Sequence, residues 1–403
     1  MLQALIDRAF KGEKFLVRLP DRRLIGPNGV AYDDAPLIVH IHSDRAVRRI
    51  AGNPGLAVGE AYMDGEFTLE RGTLYDFLAM ATRHLKTLKR PRWFGRAPVN
   101  RRRASRRNVA HHYDLSGELY RLFLDDDRQY SCAYFRAPGM SLEEAQAAKK
   151  RHLAAKLLLK PGQRVLDIGS GWGGLALTLA EEHGAEVEGV TLSEEQYAES
   201  VQRAAQRGLH DRVRFNLRDY RDVEGSFDRI VSVGMFEHVG PAHYGAFFEA
   251  LGRLLKDDGV AVLHTIGRSD EARRVNGWTE KYIFPGGALP SLSQIAAAAE
   301  RADLMITDVE VLRLHYAETL RAWRARFEAH RSRIAALYDE RFCRMWEFYL
   351  TGSEAGFRVG ELVVFQVQLA KSRTAVPQTR DYISDFDRAA AREAAPGFRI
   401  AAE

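Results

Sequence analysis

Residues 163–193 read QRVLDIGSGWGGLALTLAEEHGAEVEGVTLS. A short apolar run closes on Asp167, four glycines follow at 169, 171, 173 and 174, and an alanine- and leucine-rich run then leads to a second apolar run. That order predicts strand, tight turn, helix and strand, one βαβ unit. Glycine lets the backbone turn sharply and come close to a ligand where a Cβ would obstruct it. A nucleotide-like ligand is therefore expected at the carboxyl end of the first strand. Dinucleotide enzymes, nucleotide-sugar enzymes and methyltransferases all use such a turn.

The spelling D-x-G-x-G-x-G-G narrows the choice. Its acidic residue, Asp167, precedes the glycines, where a carboxylate opposes a cation rather than a phosphate. S-adenosylmethionine carries a sulfonium and an ammonium, and it fits this arrangement better than a dinucleotide. The second strand also ends, at Thr191, without the acidic residue that grips ribose in dinucleotide folds.

With 403 residues, 46% of them apolar, the chain is long enough for two domains and a full core. A net charge of +5 permits attraction to anionic partners without choosing between lipid head groups and nucleic acid. Cys132 and Cys343 are the only cysteines, so neither a disulfide framework nor a cysteine-rich metal site is expected, and a reducing cytoplasm fits. No apolar run approaches the ~18–20 residues that span a bilayer, and the N-terminus lacks a signal-peptide pattern. The expectation is a cytoplasmic protein, at most peripherally attached to a membrane, with no metal site.

Residues 1–85 read as a small α+β domain, with strands at 15–19, 37–41 and around 58–67 and helices near 1–10, 43–51 and 72–84. Residues 86–107, KTLKRPRWFGRAPVNRRRASRR, hold no acidic residue and are broken by two prolines, a basic linker with Trp93 and Phe94 embedded. It reads either as a solvated connector or as a patch for an anionic membrane surface. Residues 108–375 form the catalytic domain and 376–403 a tail; little apolar periodicity from 373 onward predicts poor order there. Ser141 and Glu144 spell a capping box for a helix whose apolar spacing reads as packing. Strands at 212–217, 227–233, 259–266, 304–312 and 363–371 alternate with helices at 194–207, 241–255 and 291–302, and a long arginine-rich helical stretch covers 316–350. The fold class is α/β, a doubly wound, seven-stranded Rossmann-like methyltransferase sheet with the small N-terminal domain attached. Residues 268–290 are long for a connection and read as a lid or binding loop.

The chain closely resembles the cyclopropane-fatty-acyl-phospholipid synthases, a lipid branch of the S-adenosylmethionine-dependent methyltransferases. The signatures are HHYDLS at 111–116, YSCAYF at 130–135, LDIGSGWGG at 166–174, GVTLSEEQ at 189–196, VSVGMFEHVG at 231–240, LHTIG at 263–267, KYIFPGGALPS at 281–291 and FRVGELVVFQVQLAK at 357–371. Ser170 and Gly117 depart from the family's usual Cys and Asn. Both are small, and they leave room for a subfamily with another lipid or product.

The resemblance implies that Tyr130, Ser131, Asp167, Gly169, Gly171, Thr191, Leu192, Gln196, Asp219 and Tyr220 bind the methyl donor. It further implies a bound bicarbonate as general base, held by Cys132, Glu237, His264, Ile266 and Tyr316. A cis alkene is a feeble nucleophile; it takes the donor methyl, becomes a carbocation, and must then lose a proton from that methyl for a ring to close. Backbone N–H groups at 132 and 266, His264 and the Tyr316 hydroxyl can donate to an oxyanion, and Glu237 can accept its remaining proton. Taken singly, Cys132 reads as a small buried hydrophobe, His264 as a core histidine and Glu237 as a helix-start carboxylate. Tyr134, Phe135, Trp278, Tyr282 and Phe284 read as cation–π donors or as pocket wall, and His111, His112 and Tyr113 as shapers of the entrance. The implied partners are unsaturated phospholipid acyl chains and an anionic membrane surface, with a homodimer by resemblance only. The nearest rival product is a methyl-branched, uncyclised chain. No nucleic-acid partner is expected, because Gly234–His238 replaces the Asn/Asp-Pro-Pro-aromatic motif of base methylation. A decayed lipid-binding protein is disfavoured by the intact set at 132, 237, 264 and 316.

Overall fold

A computed structural model of the chain describes residues 2–27, 29–85 and 116–393. The basic linker with Trp93 and Phe94, the motif residues His111, His112 and Tyr113, and the end of the tail lie outside the described residues.

The first strands, β1 (Phe15–Arg18), β2 (Leu24–Ile25), β3 (Leu37–Ile41) and β4 (Phe67–Arg71), form a sheet in the order β2-β1-β3-β4, with β1 and β3 parallel. Helices α1 (Leu2–Ala9), α2 (Asp44–Gly52), α3 (Pro54–Met63) and α4 (Leu74–Leu85) accompany it. The strand expected around 58–67 is instead α3 followed by β4. Pro54 supplies a helix start at N1, and Ala57, Gly59, Glu60, Ala61 and Met63 are buried around most of the helix, so no polar face marks the 3.6-residue period.

Helices α5 (Gly117–Phe123) and α6 (Leu142–Lys156) lead into the large sheet. The capping box closes as expected: Ser141 N–H donates to Glu144 Oε2 at 2.8 Å and Glu144 N–H to Ser141 Oγ at 3.2 Å. Then follow β5 (Arg164–Ile168), α7 (Gly174–His183), β6 (Glu186–Thr191), α8 (Glu194–Gln206), β7 (Val213–Leu217), β8 (Phe227–Val233), α9 (Tyr244–Leu254) and β9 (Leu255–Arg268). A small hairpin, β10 (Arg273–Arg274) with β11 (Ala288–Leu289), encloses α10 (Gly277–Tyr282). Next come α11 (Leu292–Arg301), β12 (Met305–Leu312), α12 (His315–Ala329), α13 (Arg331–Leu337), α14 (Glu340–Arg358), β13 (Leu362–Ala370) and α15 (Asp381–Glu393).

The seven strands run in the order β12-β13-β9-β8-β5-β6-β7. β5 to β9 are mutually parallel where they pair, and β13 lies antiparallel between β9 and β12. Each face carries its own core. Phe247, Phe248 and Leu251 of α9 with Ile295 and Ala299 of α11 cover one; Leu153 of α6, Leu175–Ala180 of α7 and Ala204 of α8 cover the other. Burial on both faces is what parallel strands with crossover helices require, and it places their carboxyl ends together at one rim.

Two further expectations change. The helical stretch 316–350 is three helices, interrupted at His330 and at Tyr338-Asp339, where Asp339 caps α14 by accepting from Phe342 N–H. The tail is ordered through α15, which packs on α6 and buries Ile383, while Gln368 Nε2 donates to the Tyr382 hydroxyl at 2.7 Å. Among the described residues, no helix is long and apolar enough to cross a membrane.

Candidate active site

The β5–α7 turn is built by its glycines. Gly169 adopts φ +85°, a left-handed conformation that side chains rarely tolerate, and an added Cβ would meet Met235 at 2.8 Å. The turn is pinned by Gly169 and Ser170 N–H groups donating to Val190 O at 2.9 and 3.0 Å. Above it lies a cavity of about 160 Å³. All ten residues expected around the methyl donor line it: Tyr130, Ser131, Asp167, Gly169, Gly171, Thr191, Leu192, Gln196, Asp219 and Tyr220.

Three of these are electrostatically distinct. Asp167 is 1% exposed and its Oδ2 has no hydrogen-bond partner among the described residues. Burial pushes its carboxyl up to about 7, with Lys149 pulling the other way. Asp219, by contrast, is clamped by Arg221, whose Nε and Nη2 donate to its two oxygens at 2.8 and 2.5 Å. Thr191 braces the turn that leads into α8: its hydroxyl donates to Gln196 Oε1 at 3.1 Å and accepts from Ser193 N–H at 3.2 Å, while the residue also lines the cavity. Gln196 keeps its NH2 group outside that bond.

A second, smaller cavity of about 60 Å³ adjoins the first. Cys132, Glu237, His264, Ile266 and Tyr316 all line it, together with Val275, Phe284, Gly287, Leu289 and Tyr349. Tyr130, Ser131, Gly234 and His238 belong to both walls. Glu237 is buried; Ile266 N–H donates to its Oε1 at 2.5 Å, while Oε2 has no partner among the described residues. Burial lifts its carboxyl to about 7. Gln366 Nε2 lies 3.1 Å from His264 Nδ1; with that amide as donor, the ring proton sits on Nε2. Burial keeps His264 and His238 neutral, the latter lowered to about 4. The Cys132 thiol is driven up by burial, away from the thiolate a nucleophile needs.

Of the five aromatics singled out in the sequence, only Phe284 reaches this cavity. Tyr134 is stacked between His152 and His315, with centroids 4.1 and 4.9 Å away. Phe135 donates its N–H to His315 Nδ1 at 3.0 Å. Trp278 packs over Gly59 of α3, and Tyr282 donates to Glu60 Oε1 at 2.9 Å, so both tie the 269–290 loop to the N-terminal sheet's helices. Two residues were missed by sequence reasoning. Tyr349, in the arginine-rich stretch, meets the Tyr130 hydroxyl at 2.9 Å, and no motif marks it. Lys149, in the helix read as packing, is wholly buried and pulled down to about 8 by that burial. Its signal was a lysine on the inward face of a capped helix.

The site has recognisable relatives. The profile of the family described as mycolic acid cyclopropane synthetase matches residues 100–367. The chain is 39% identical over 358 residues to the cyclopropane-fatty-acyl-phospholipid synthase of Escherichia coli K12, covering 86% of this chain and 92% of that one. It is likewise 39% identical over 368 residues to the tuberculostearic acid methyltransferase of Mycobacterium tuberculosis, 85% of each chain. Among solved structures, the cyclopropane synthase MmaA2 from Mycobacterium tuberculosis aligns with a TM-score of 0.63 at 35% identity, over 66% of this chain and 98% of that one. The mycolic acid cyclopropane synthase CmaA1, complexed with SAH and CTAB, aligns at 0.62 and 38% identity, over 66% and 97%.

Proposed function

Because the chain belongs to the mycolic acid cyclopropane synthetase family and is an S-adenosylmethionine-dependent methyltransferase of the cyclopropane fatty acid synthase type, we propose that it adds methylene to the cis double bond of unsaturated phospholipid acyl chains. The observation that carries this reading is the shared wall: a cavity of mixed polarity at the strand ends meets a more strongly apolar one through Tyr130, Ser131, Gly234 and His238. A methyl group can cross there without entering water.

In this reading Asp167 faces the donor's ammonium, since its bare Oδ2 is the one unpaired buried anion of the larger cavity. Gly169 and Gly171 let backbone approach the donor, Thr191, Leu192 and Gln196 take the ribose, and Asp219 and Tyr220 lie toward the base. The alkene π pair forms a bond to the methyl carbon, the carbon–sulfur bond breaks, and sulfur keeps its pair. The adjacent acyl carbon is left cationic. Loss of a proton from the new methyl frees the C–H pair to close the ring.

That proton needs a base which is not itself methylated, and the residues present suit a small anion. Ile266 N–H, once released from Glu237 Oε1, and the Nε2–H of neutral His264 would donate, and the bare Glu237 Oε2 would accept. A bound bicarbonate supplies a base of that size and charge. Glu237, when ionised, also stabilises positive charge on the chain in a dry site. In this structure the Ile266 N–H is held by Glu237 itself rather than turned to the cavity. Both are oxyanion contacts of one donor, so the N–H is matched to negative charge either way.

The test is incubation of the protein with S-adenosylmethionine and vesicles bearing cis-monounsaturated phospholipid, with the product read by NMR. A cyclopropane supports the reading; a branched alkene refutes it in favour of methyl branching, the reading encouraged by the equal identity to the tuberculostearic acid methyltransferase. The same reading makes residues 1–85 and 108–375 separate domains joined by the basic linker 86–107, which attaches the enzyme to the anionic inner surface of the membrane. Neutralising the arginines at 96–107 then weakens sedimentation with anionic vesicles. A homodimer goes with the family resemblance, and light scattering of the full chain decides it.

A further inference from the structure

Beneath the junction of the two cavities lies a cation that the chemistry above does not use. Lys149 is 0% exposed. Its Nζ donates to Ser131 Oγ at 2.8 Å and to Gln129 Oε1 at 2.6 Å, both neutral acceptors, and no carboxylate among the described residues forms an ion pair with it. Asp125, Asp127 and Asp167 attract it without bonding to it, and burial still pulls it down to about 8, so an ammonium is held here at a cost. Holding the 129–131 segment does not account for it, because Gln146, one turn earlier on α6, already grips that segment without charge: its Nε2 donates to Ser131 O at 2.9 Å and to Gln129 O at 3.3 Å.

What only a cation adds is polarity. An ammonium donates and never accepts. Ser131 Oγ therefore receives from Lys149 and must send its own hydrogen elsewhere, and Ser131 lines both cavities where they meet. Gln129 is fixed in the same sense: its Oε1 is taken by Lys149 and its Nε2 donates to Asp127 Oδ2 at 3.0 Å. The sulfonium must lie at this junction for its methyl to cross, and the amino-acid end of the donor is attached to that sulfur. Its one anionic group is the carboxylate.

We propose that Lys149 is a positioning residue for the methyl donor, fixing the Ser131 hydroxyl as a hydrogen-bond donor to the donor's carboxylate and placing positive charge behind it. Asp167 and Lys149 then present the two charges that a zwitterionic head group requires. The inference rests on the assignment of the larger cavity to S-adenosylmethionine.

The experiment is calorimetry on the full chain with two ligands, S-adenosylhomocysteine and 5′-methylthioadenosine, which keeps the nucleoside and sulfur but lacks both carboxylate and ammonium. Lys149→Met is expected to weaken S-adenosylhomocysteine roughly ten- to a hundred-fold, the range of a lost charge-assisted bond, and methylthioadenosine by no more than about two-fold. Ser131→Ala is expected to show the same selective loss, and the double variant no further loss than either single one. Equal loss of both ligands, no loss, or additive losses would each overturn the proposal. If Lys149→Met does not fold, Ser131→Ala alone decides, by the same ratio of the two ligands. Failure of the underlying reading looks different: the wild-type chain would then bind neither ligand, or Asp167→Asn would leave both affinities untouched.

Discussion

The larger cavity takes most of its wall from successive strand ends and the turns after them, at 167–172, 190–196 and 218–221, whereas the smaller one draws on scattered positions at 130–132, 234–238, 264–266, 275–289, 316 and 349. The first is largely local and of mixed polarity, and Asp167 Oδ2, Ser170 Oγ and Trp172 Nε1 are among its buried polar atoms without a partner among the described residues. The second is apolar and holds a buried carboxylate with one bare oxygen. Binding and chemistry are thereby separated. On the proposed reading, donor affinity resides in a rim fixed by a sheet, and reactivity in a chamber assembled from distant parts of the chain.

The separation can be broken at its strongest point first. Glu237→Gln keeps the volume and the contact with Ile266 N–H but removes the charge. Turnover should fall by roughly 10²–10⁴, the usual range for loss of an acid–base partner, with S-adenosylhomocysteine affinity within a few-fold of wild type. Near-wild-type turnover in a product assay would remove Glu237 from the chemistry. Asp167→Asn is the mirror image. It should weaken the donor by about ten-fold or more in calorimetry while saturated turnover is largely retained. If Asp167→Asn instead abolished turnover at saturating donor, the two cavities would not divide the work as described.

The contrast also explains what could be read in advance. The βαβ unit and the strand alternation share one contiguous stretch, and glycine spelling reports backbone geometry directly; Gly169 does adopt the left-handed conformation that the turn demands, whereas the individual donor residues, Tyr130 and Ser131 among them, came from the family resemblance. The five residues of the smaller cavity were legible only through a family resemblance, because their nearness depends on how β8, β9 and α12 are brought together. Val58–Met63 was misread because a helix buried nearly all round shows no period. Lys149 was passed over because a lysine on a helix is nearly always at the surface, and here it is not. Tyr349 sits in the run Trp346–Leu350, whose aromatics read as ordinary helix packing.

A smaller effect tests whether the bare carboxylate is held at a cost. Burial raises the folded-state pKa of Glu237 to about 7, above its ordinary value of 4.5. Below the ordinary value the group is protonated in both folded and unfolded chains, and it costs nothing. As pH rises through that window the unfolded chain ionises first, and stability is lost until the folded carboxyl also ionises near 7, after which the cost is constant. Glu237→Gln is therefore expected to melt several degrees above wild type at pH 8, reflecting a few kcal/mol, with the gap narrowing at pH 5. A gap that is absent, or independent of pH, would mean that the oxygen is hydrated.

The smallest effect concerns the wall that the N-terminal helices support. Glu60, 6% exposed on α3, accepts from Lys281 Nζ at 2.6 Å and from the Tyr282 hydroxyl at 2.9 Å, and it also pairs with Arg49. Those contacts hold α10, and two to seven residues past Tyr282 the chain presents Phe284, Gly287 and Leu289 to the smaller cavity. At about 60 Å³ that cavity has room for a few methylene groups, and on the proposed reading this wall borders the lipid. Glu60→Ala leaves Lys281 exposed to water but loosens the wall's anchor. It should change the KM for lipid several-fold while changing S-adenosylhomocysteine affinity much less, because the loop reaches the larger cavity's wall at His238, through Phe284, and supplies none of its lining itself. An equal change in both would mean that the N-terminal helices brace the whole rim, and that the two cavities are one mechanical unit.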